Sequence, residues 1–202
     1  MLKSICAGVV TLGLAAAPAF AGQQPAPAEK AKKPAAATTT AGKKADEMFV
    51  TKAAKGGMSE VKLGQLVSEK GSSDEVKKFG QRMVTDHGKA NDELKSLAQQ
   101  KNITLPTDLD AKDQALYDRL SKMSGAAFDR VYMREMLTDH RKDVNEFKKE
   151  STSGKDPDVK AWAGKTLPTL EEHLKLAEDA NKSVVGTSGS KSPAPKGSKG
   201  RK

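Results

Sequence analysis

A chain of 202 residues, 36% hydrophobic and only 4% aromatic, has room for one ordinary domain or two small ones. So few aromatics beside 30% charged residues disfavour a sandwich or barrel and favour helices built on Ala, Leu, Val and Met. The 35 basic against 26 acidic residues give a formal charge of +9, which reads as a nucleic-acid signature only if that charge lies on the folded part.

Lys3 is followed by an apolar run from Ile5 to Phe20 that closes in Ala19-Phe20-Ala21, the pattern of a secretory signal spanning residues 1–21. The run is shorter than the roughly 20 apolar residues a bilayer demands, and no second run follows. The expectation is an exported protein, periplasmic or outer-membrane associated, with no transmembrane helix in the mature chain. Cys6 leaves with the signal, so disulfides, thiol catalysis and cysteine metal sites are excluded together.

Residues 22–44 and 186–202 mix Pro, Ala, Gly, Ser and Lys without apolar periodicity, which predicts a disordered linker and a disordered basic tail. These two segments carry +4 and +5 and the signal +1, which leaves −1 for residues 45–185. The domain is nearly neutral, and a nucleic-acid groove is not supported. The basic tails suit weak, salt-dependent contact with anionic envelope surfaces.

Between the tails the apolar period is helical throughout. Helix 1 is expected from Ala45 to Lys70, stopping at Gly71, and helix 2 from behind Ser73 to about Gln100, with Asp74 and Glu75 favouring its positive end. Leu105-Pro106-Thr107 breaks the chain, and a short helix from Asp110 to Met123 follows. Helix 3 runs from Ser124-Gly125 to about Glu150. Helix 4 opens at Asp156-Pro157, a cap followed by proline, and reaches Val185 with Pro168 inside it, where a bend is expected. The predicted fold is all-α, a four-helix bundle with an extra helix in the connection between helices 2 and 3. That long connection can lie along the bundle as a crossover.

Each long helix carries one ionisable group on its apolar side. His87 shares a face with Phe79, Met83 and Leu94; His140 with Tyr132, Met136 and Phe147; His173 with Trp162, Leu170, Leu176 and Ala177; Glu60 interrupts the stripe Phe49, Ala53, Leu63, Val67. All four lie within about three residues of their helix midpoints, under roughly 5 Å of rise, so they share one layer whichever way each helix runs. Three imidazoles and a carboxylate around one point form a ligand set for one transition-metal ion: zinc, iron, manganese or copper. Met83 and Met136 would suit copper(I). Asp86, Asp139 and Glu172, each preceding a histidine, are candidate outer acceptors for a ring N–H, acting between helices rather than on their own neighbour. Glu171, Asp113 and Asp143 are read as solvated. The same layer also fits an inert polar network in a non-catalytic envelope or stress-associated interaction protein.

The segments GMSEVKLGQLV (57–67), MVTDHGKANDELKSLA (83–98), SGAAFDRVYMREMLTDHRKDVNEFKKE (124–150) and KAWAGKTLPTLEEHLKLAE (160–178) resemble the exported bacterial domain of unknown function family 4142. The resemblance covers about residues 45–185. It implies a ferritin-like helical bundle in a periplasmic or outer-membrane-associated protein, and it supplies no reaction. The chain departs from the ferritin-like di-iron pattern, because the position three before each histidine holds Val84, Leu137 and Leu170 where Glu-x-x-His needs a carboxylate. A carboxylate-bridged di-iron oxidase is therefore disfavoured, and no catalytic residue is assigned.

Overall fold

The computed structural model describes residues 40–186, all five of whose elements are helices: α1 (Thr40–Lys70), α2 (Asp74–Lys101), α3 (Ala111–Ser121), α4 (Gly125–Ser153) and α5 (Pro157–Gly186). The expected signal segment, most of the 22–44 linker and the tail beyond Gly186 lie outside the described residues. The helix starts at Thr40 rather than Ala45, because Ala41, Lys43 and Lys44 are good helix formers and outweigh Gly42. None of these helices is long and apolar enough to cross a membrane.

The local signals act as the sequence suggests. Ser73 is the N-cap of α2 and accepts from the Val76 amide, while Asp156 accepts from the amides of Asp158 and Val159 at the start of α5. Asn102 takes a left-handed conformation (φ 56°) that closes α2. The helix α5 continues through Pro168, whose side is exposed.

Two buried carboxylates fix how the helical hairpins meet. Asp129, near the start of α4, accepts from the Ser72 and Ser73 amides and the Ser72 hydroxyl in the α1–α2 turn. Asp46, near the start of α1, accepts from the Lys155 and Asp156 amides in the α4–α5 turn. Each hairpin thus lends an acid to the other's turn. The spacing repeats: 83 residues separate Asp46 from Asp129, Gly71 from Gly154, Ser73 from Asp156 and Glu60 from Asp143. The two hairpins thus share turn and cap positions.

These contacts set direction. The start of α4 lies against the end of α1, so the two are antiparallel, as short turns make α1 to α2 and α4 to α5. The helix α2 then runs parallel to α4, and its end sits by the start of α5, where Lys101 pairs with Asp156 (2.8 Å) and Asp158 (2.6 Å). The connection 102–124 must travel the length of the helices to reach the start of α4. It does so with α3 packed on α1 and α4.

Close approach of α1 and α2 depends on Gly64 and Gly80. A Cβ on Gly64 would stand 2.6 Å from the Gly80 carbonyl, and one on Gly80 would stand 2.8 Å from the Val67 Cβ. The apolar core has two parts. One holds Leu63, Val67, Phe79, Met83, Tyr132, Met136 and Ala177. The other holds Val50, Leu94, Phe147, Trp162 and Leu170. Leu176, expected to face inward beside His173, is instead 38% exposed, because the inward positions of that turn are taken by His173 and Ala177.

Asp46→Ala or Asp129→Ala should each cost about 1–2 kcal/mol in urea unfolding, since each leaves two part-buried turn amides without their acceptor. A loss below about 0.5 kcal/mol at both would contradict the reciprocal capping.

Candidate metal centre

In all four long helices the chain passes from one apolar part to the other across a polar residue: Val50 and Ala54 then Glu60 then Leu63, Met83 then His87 then Leu94, Met136 then His140 then Phe147, Leu170 then His173 then Ala177. Glu60 is 3% exposed, His87 6%, and His140 and His173 are fully buried. The ring centroids of the three histidines lie 5.2–5.7 Å apart. One nitrogen from each comes within 4.8 Å of the others, the one trio of His, Cys, Asp or Glu among the described residues that does so.

The hydrogen bonds assign a role to every ring. His87 donates from Nδ1 to Glu60 Oε2 (3.0 Å), and Glu60 Oε1 lies 3.5 Å from His140 Nδ1. His140 donates from Nδ1 to the Met136 carbonyl (2.9 Å), an i−4 bond within α4. His173 donates from Nε2 to Asp86 Oδ2 (2.8 Å), across from α5 to α2. Left without a partner are His87 Nε2, His140 Nε2 and His173 Nδ1, together with Glu60 Oε1. Each imidazole is therefore held at one nitrogen by an oxygen acceptor, with the other nitrogen bare in the core. Glu60 is placed behind the His87 and His140 rings, at their Nδ1 side.

The outer acids divide. Asp86 reaches the histidine of the facing helix and is itself held by Arg82, which also binds Glu172 (2.9 Å). Glu172 is thus turned to Arg82 and bonds no histidine. Asp139 is half-buried and faces a hollow on the α1–α3–α4 side. Asp143, read from sequence as solvated, lines that hollow and also a smaller one of about 30 Å³ beside Glu60 and His87. Its signal is present in the chain, three residues after His140 and 83 after Glu60, but only the packing shows that this side of α4 is covered.

Electrostatics follow from burial around one ionised acid. Burial pushes the Glu60 carboxyl up, but the charges of His87 and His140 outweigh it and hold the group at about 2. Burial pulls His87 down, yet Glu60, by charge and by hydrogen bond, outweighs it and leaves this ring above the usual histidine value. His140 is lowered, chiefly by burial. His173 is pushed down to about 4 by burial, despite its bond to Asp86. Burial, then the Glu60 charge, raise Asp143 to about 8 and Asp139 to about 6.

Residues 31–180 match the family described as domain of unknown function DUF4142, and the chain belongs to that family. No curated protein matches the sequence. A similar solved structure is a DUF305 fragment from Deinococcus radiodurans, with TM-score 0.60 and 12% identity, the alignment covering 68% of this chain and 95% of that one. At that identity what is shared is the helical fold.

The raised Asp143 gives a pH-dependent prediction. Its folded value lies above the unfolded one, so the stability it contributes is present at low pH and is lost as pH rises toward about 8. Asp143→Asn should leave the metal-free protein unchanged at pH 5 and stabilise it at pH 9, by on the order of 1–2 kcal/mol after allowance for partial exposure. Equal effects at the two pH values would contradict the placement of Asp143.

Proposed function

We propose that this chain is an exported metal-binding module, a ferritin-like four-helix bundle that holds one transition-metal ion on His87, His140 and His173. The observation that carries this reading is the set of three bare ring nitrogens, each on an imidazole oriented from behind by a carboxylate or a carbonyl. Metal-binding histidines are oriented in this way, which fixes the tautomer and raises ligand basicity. An inert polar network would satisfy its own members, whereas this one leaves four buried atoms unpaired.

The donor set is nitrogen-rich and suits zinc, iron, manganese or copper. Nitrogens around a tetrahedral ion at about 2.0–2.1 Å stand about 3.3 Å apart, so binding draws the rings inward and leaves a fourth position for Glu60, water or an incoming ligand. Asp86 serves as the outer acceptor of His173 and Glu60 as that of His87. Asp139 and Glu172 lie farther out. The Lys-rich segments 22–44 and 186–202 would tether the module to anionic envelope surfaces, in a salt-dependent manner.

Zinc, manganese, iron(II) and copper(I) should be titrated against the protein and its His140→Ala variant. At pH 7.5 at least one ion should bind the parent at one equivalent with micromolar or tighter affinity and raise the melting temperature, a hundredfold excess over Kd adding about 2.7 kcal/mol. Binding should displace the proton that Glu60 keeps on His87, so affinity falls as pH drops. If none of the four ions binds, or if the variant binds as well as the parent, the histidine layer is a structural network and the module an interaction protein.

A further inference from the structure

Each histidine of the layer leans on an oxygen, and the three oxygens differ in how well they are shielded from water. His87 bonds Glu60, which is 3% exposed, and His140 bonds a backbone carbonyl within α4. The acceptor of His173 is placed differently. The Asp86 side chain is 24% exposed and lines an open groove of about 170 Å³ between α2 and α5. A carboxylate at the edge of water is free to turn into it, and would then leave the buried His173 N–H without an acceptor.

Arg82 stands where it prevents that turn. Its Nε donates to Asp86 Oδ2 (2.5 Å), the same oxygen that accepts from His173 Nε2 (2.8 Å). Its Nη2 donates to Glu172 Oε2 (2.9 Å), on the residue beside His173. One planar guanidinium is therefore anchored on both helices, to an acid one turn ahead on α2 and to an acid on α5. Two bonds from a rigid fork fix the plane of the group, which a lysine ammonium in the same place could not do. The other cations of the groove do not take this position: Lys165 is bound to Glu93 (2.9 Å), and Lys89 is exposed.

Stability does not account for the arrangement, because exposed ion pairs contribute little to folding. Charge does not account for it either. A cation beside a metal site repels the metal, so an arginine here assists binding only through position.

We propose that Arg82 is a positioning residue of the histidine layer: by pinning Asp86 Oδ2 it keeps His173 Nε2 engaged and Nδ1 free for a metal ion. Its effect on metal affinity rests on the function proposed above, and it extends that site to a surface side chain that touches no ion.

The protein is compared with Arg82→Gln, Arg82→Lys, Asp86→Ala and the Arg82→Gln, Asp86→Ala double variant. The control is Arg141→Gln, which removes another exposed cross-helix pair, Arg141 with Glu178 (3.2 Å). Two quantities are read: exchange of the His173 Nε2 proton with water in the metal-free protein, by nitrogen-15-resolved magnetic resonance, and zinc affinity, by competition titration. Arg82→Gln should speed the exchange and weaken zinc by about tenfold, the lower end of what losing an outer partner costs. Arg82→Lys keeps the charge without the fork and should behave like Arg82→Gln. Asp86→Ala should do at least as much, and the double variant no more than Asp86→Ala, because Arg82 acts through Asp86. Arg141→Gln should change neither quantity. The proposal is overturned if the His173 proton keeps its wild-type exchange rate in Arg82→Gln, or if that variant binds zinc as tightly as the parent or tighter. It is overturned as well if Arg82→Lys behaves as the parent, or if the double variant adds the two losses. A parent that binds no zinc overturns the metal reading instead, and the His173 proton then decides this one.

Discussion

A layer of four ionisable side chains crosses the middle of an otherwise apolar interior, and the rest of the structure is arranged to hold it. Removing a carboxylate and three imidazoles from water is costly unless charges are paired and ring nitrogens have acceptors. The helices meet part of that cost with contacts that work only at one register: Glu60 against His87, Asp86 against His173, and the Met136 carbonyl against His140. Sliding α2 by one turn, about 5.4 Å, would strand both carboxylates. A polar layer of this kind specifies alignment, as single buried polar residues do in coiled coils.

The ends of the hairpins enforce the same register. Asp46 and Asp129 each lock the opposite turn through backbone amides, so the height of α1 against α4 is set at both ends of the molecule. The glycines at 64 and 80 bring α1 and α2 together on one side of the layer, and the Phe49, Phe147 and Trp162 rings pack on the other. Rigid surroundings have a chemical consequence. The three bare nitrogens cannot swing out to water to find partners, so they stay unpaired within the buried layer.

Much of this was legible in the residues. The turns at Gly71–Ser73 and Gly154–Asp156 announce themselves by capping chemistry, and the helical period places Glu60 and the three histidines on apolar faces. Their common height follows because the three histidines lie at mid-helix and Glu60 at the middle of the 45–70 stretch that the apolar period marks, where direction does not matter. What depends on helix rotation was not legible. Asp86 precedes His87 but serves His173, Glu172 turns to Arg82, and Asp143 lies under cover that α1 and α3 provide. Leu176 shows the same limit, since one helical face is wide enough for a residue at its edge to stay outside. The first turn of α1 carries no apolar period in Thr40-Ala-Gly-Lys-Lys, so the pattern does not announce it, and the propensity of Ala41, Lys43 and Lys44 extends the element there.

Each imidazole keeps one nitrogen bare in the core, and nitrogen-15 magnetic resonance of the labelled histidines tests that arrangement directly. Once the pH is high enough to drive off the second His87 proton, the metal-free protein should show Nδ1 protonated in His87 and His140 and Nε2 protonated in His173. One equivalent of zinc should then shift His87 Nε2, His140 Nε2 and His173 Nδ1 together while the protonated nitrogens keep their hydrogens. The opposite tautomers, or zinc that leaves those three nitrogens unmoved, would contradict it.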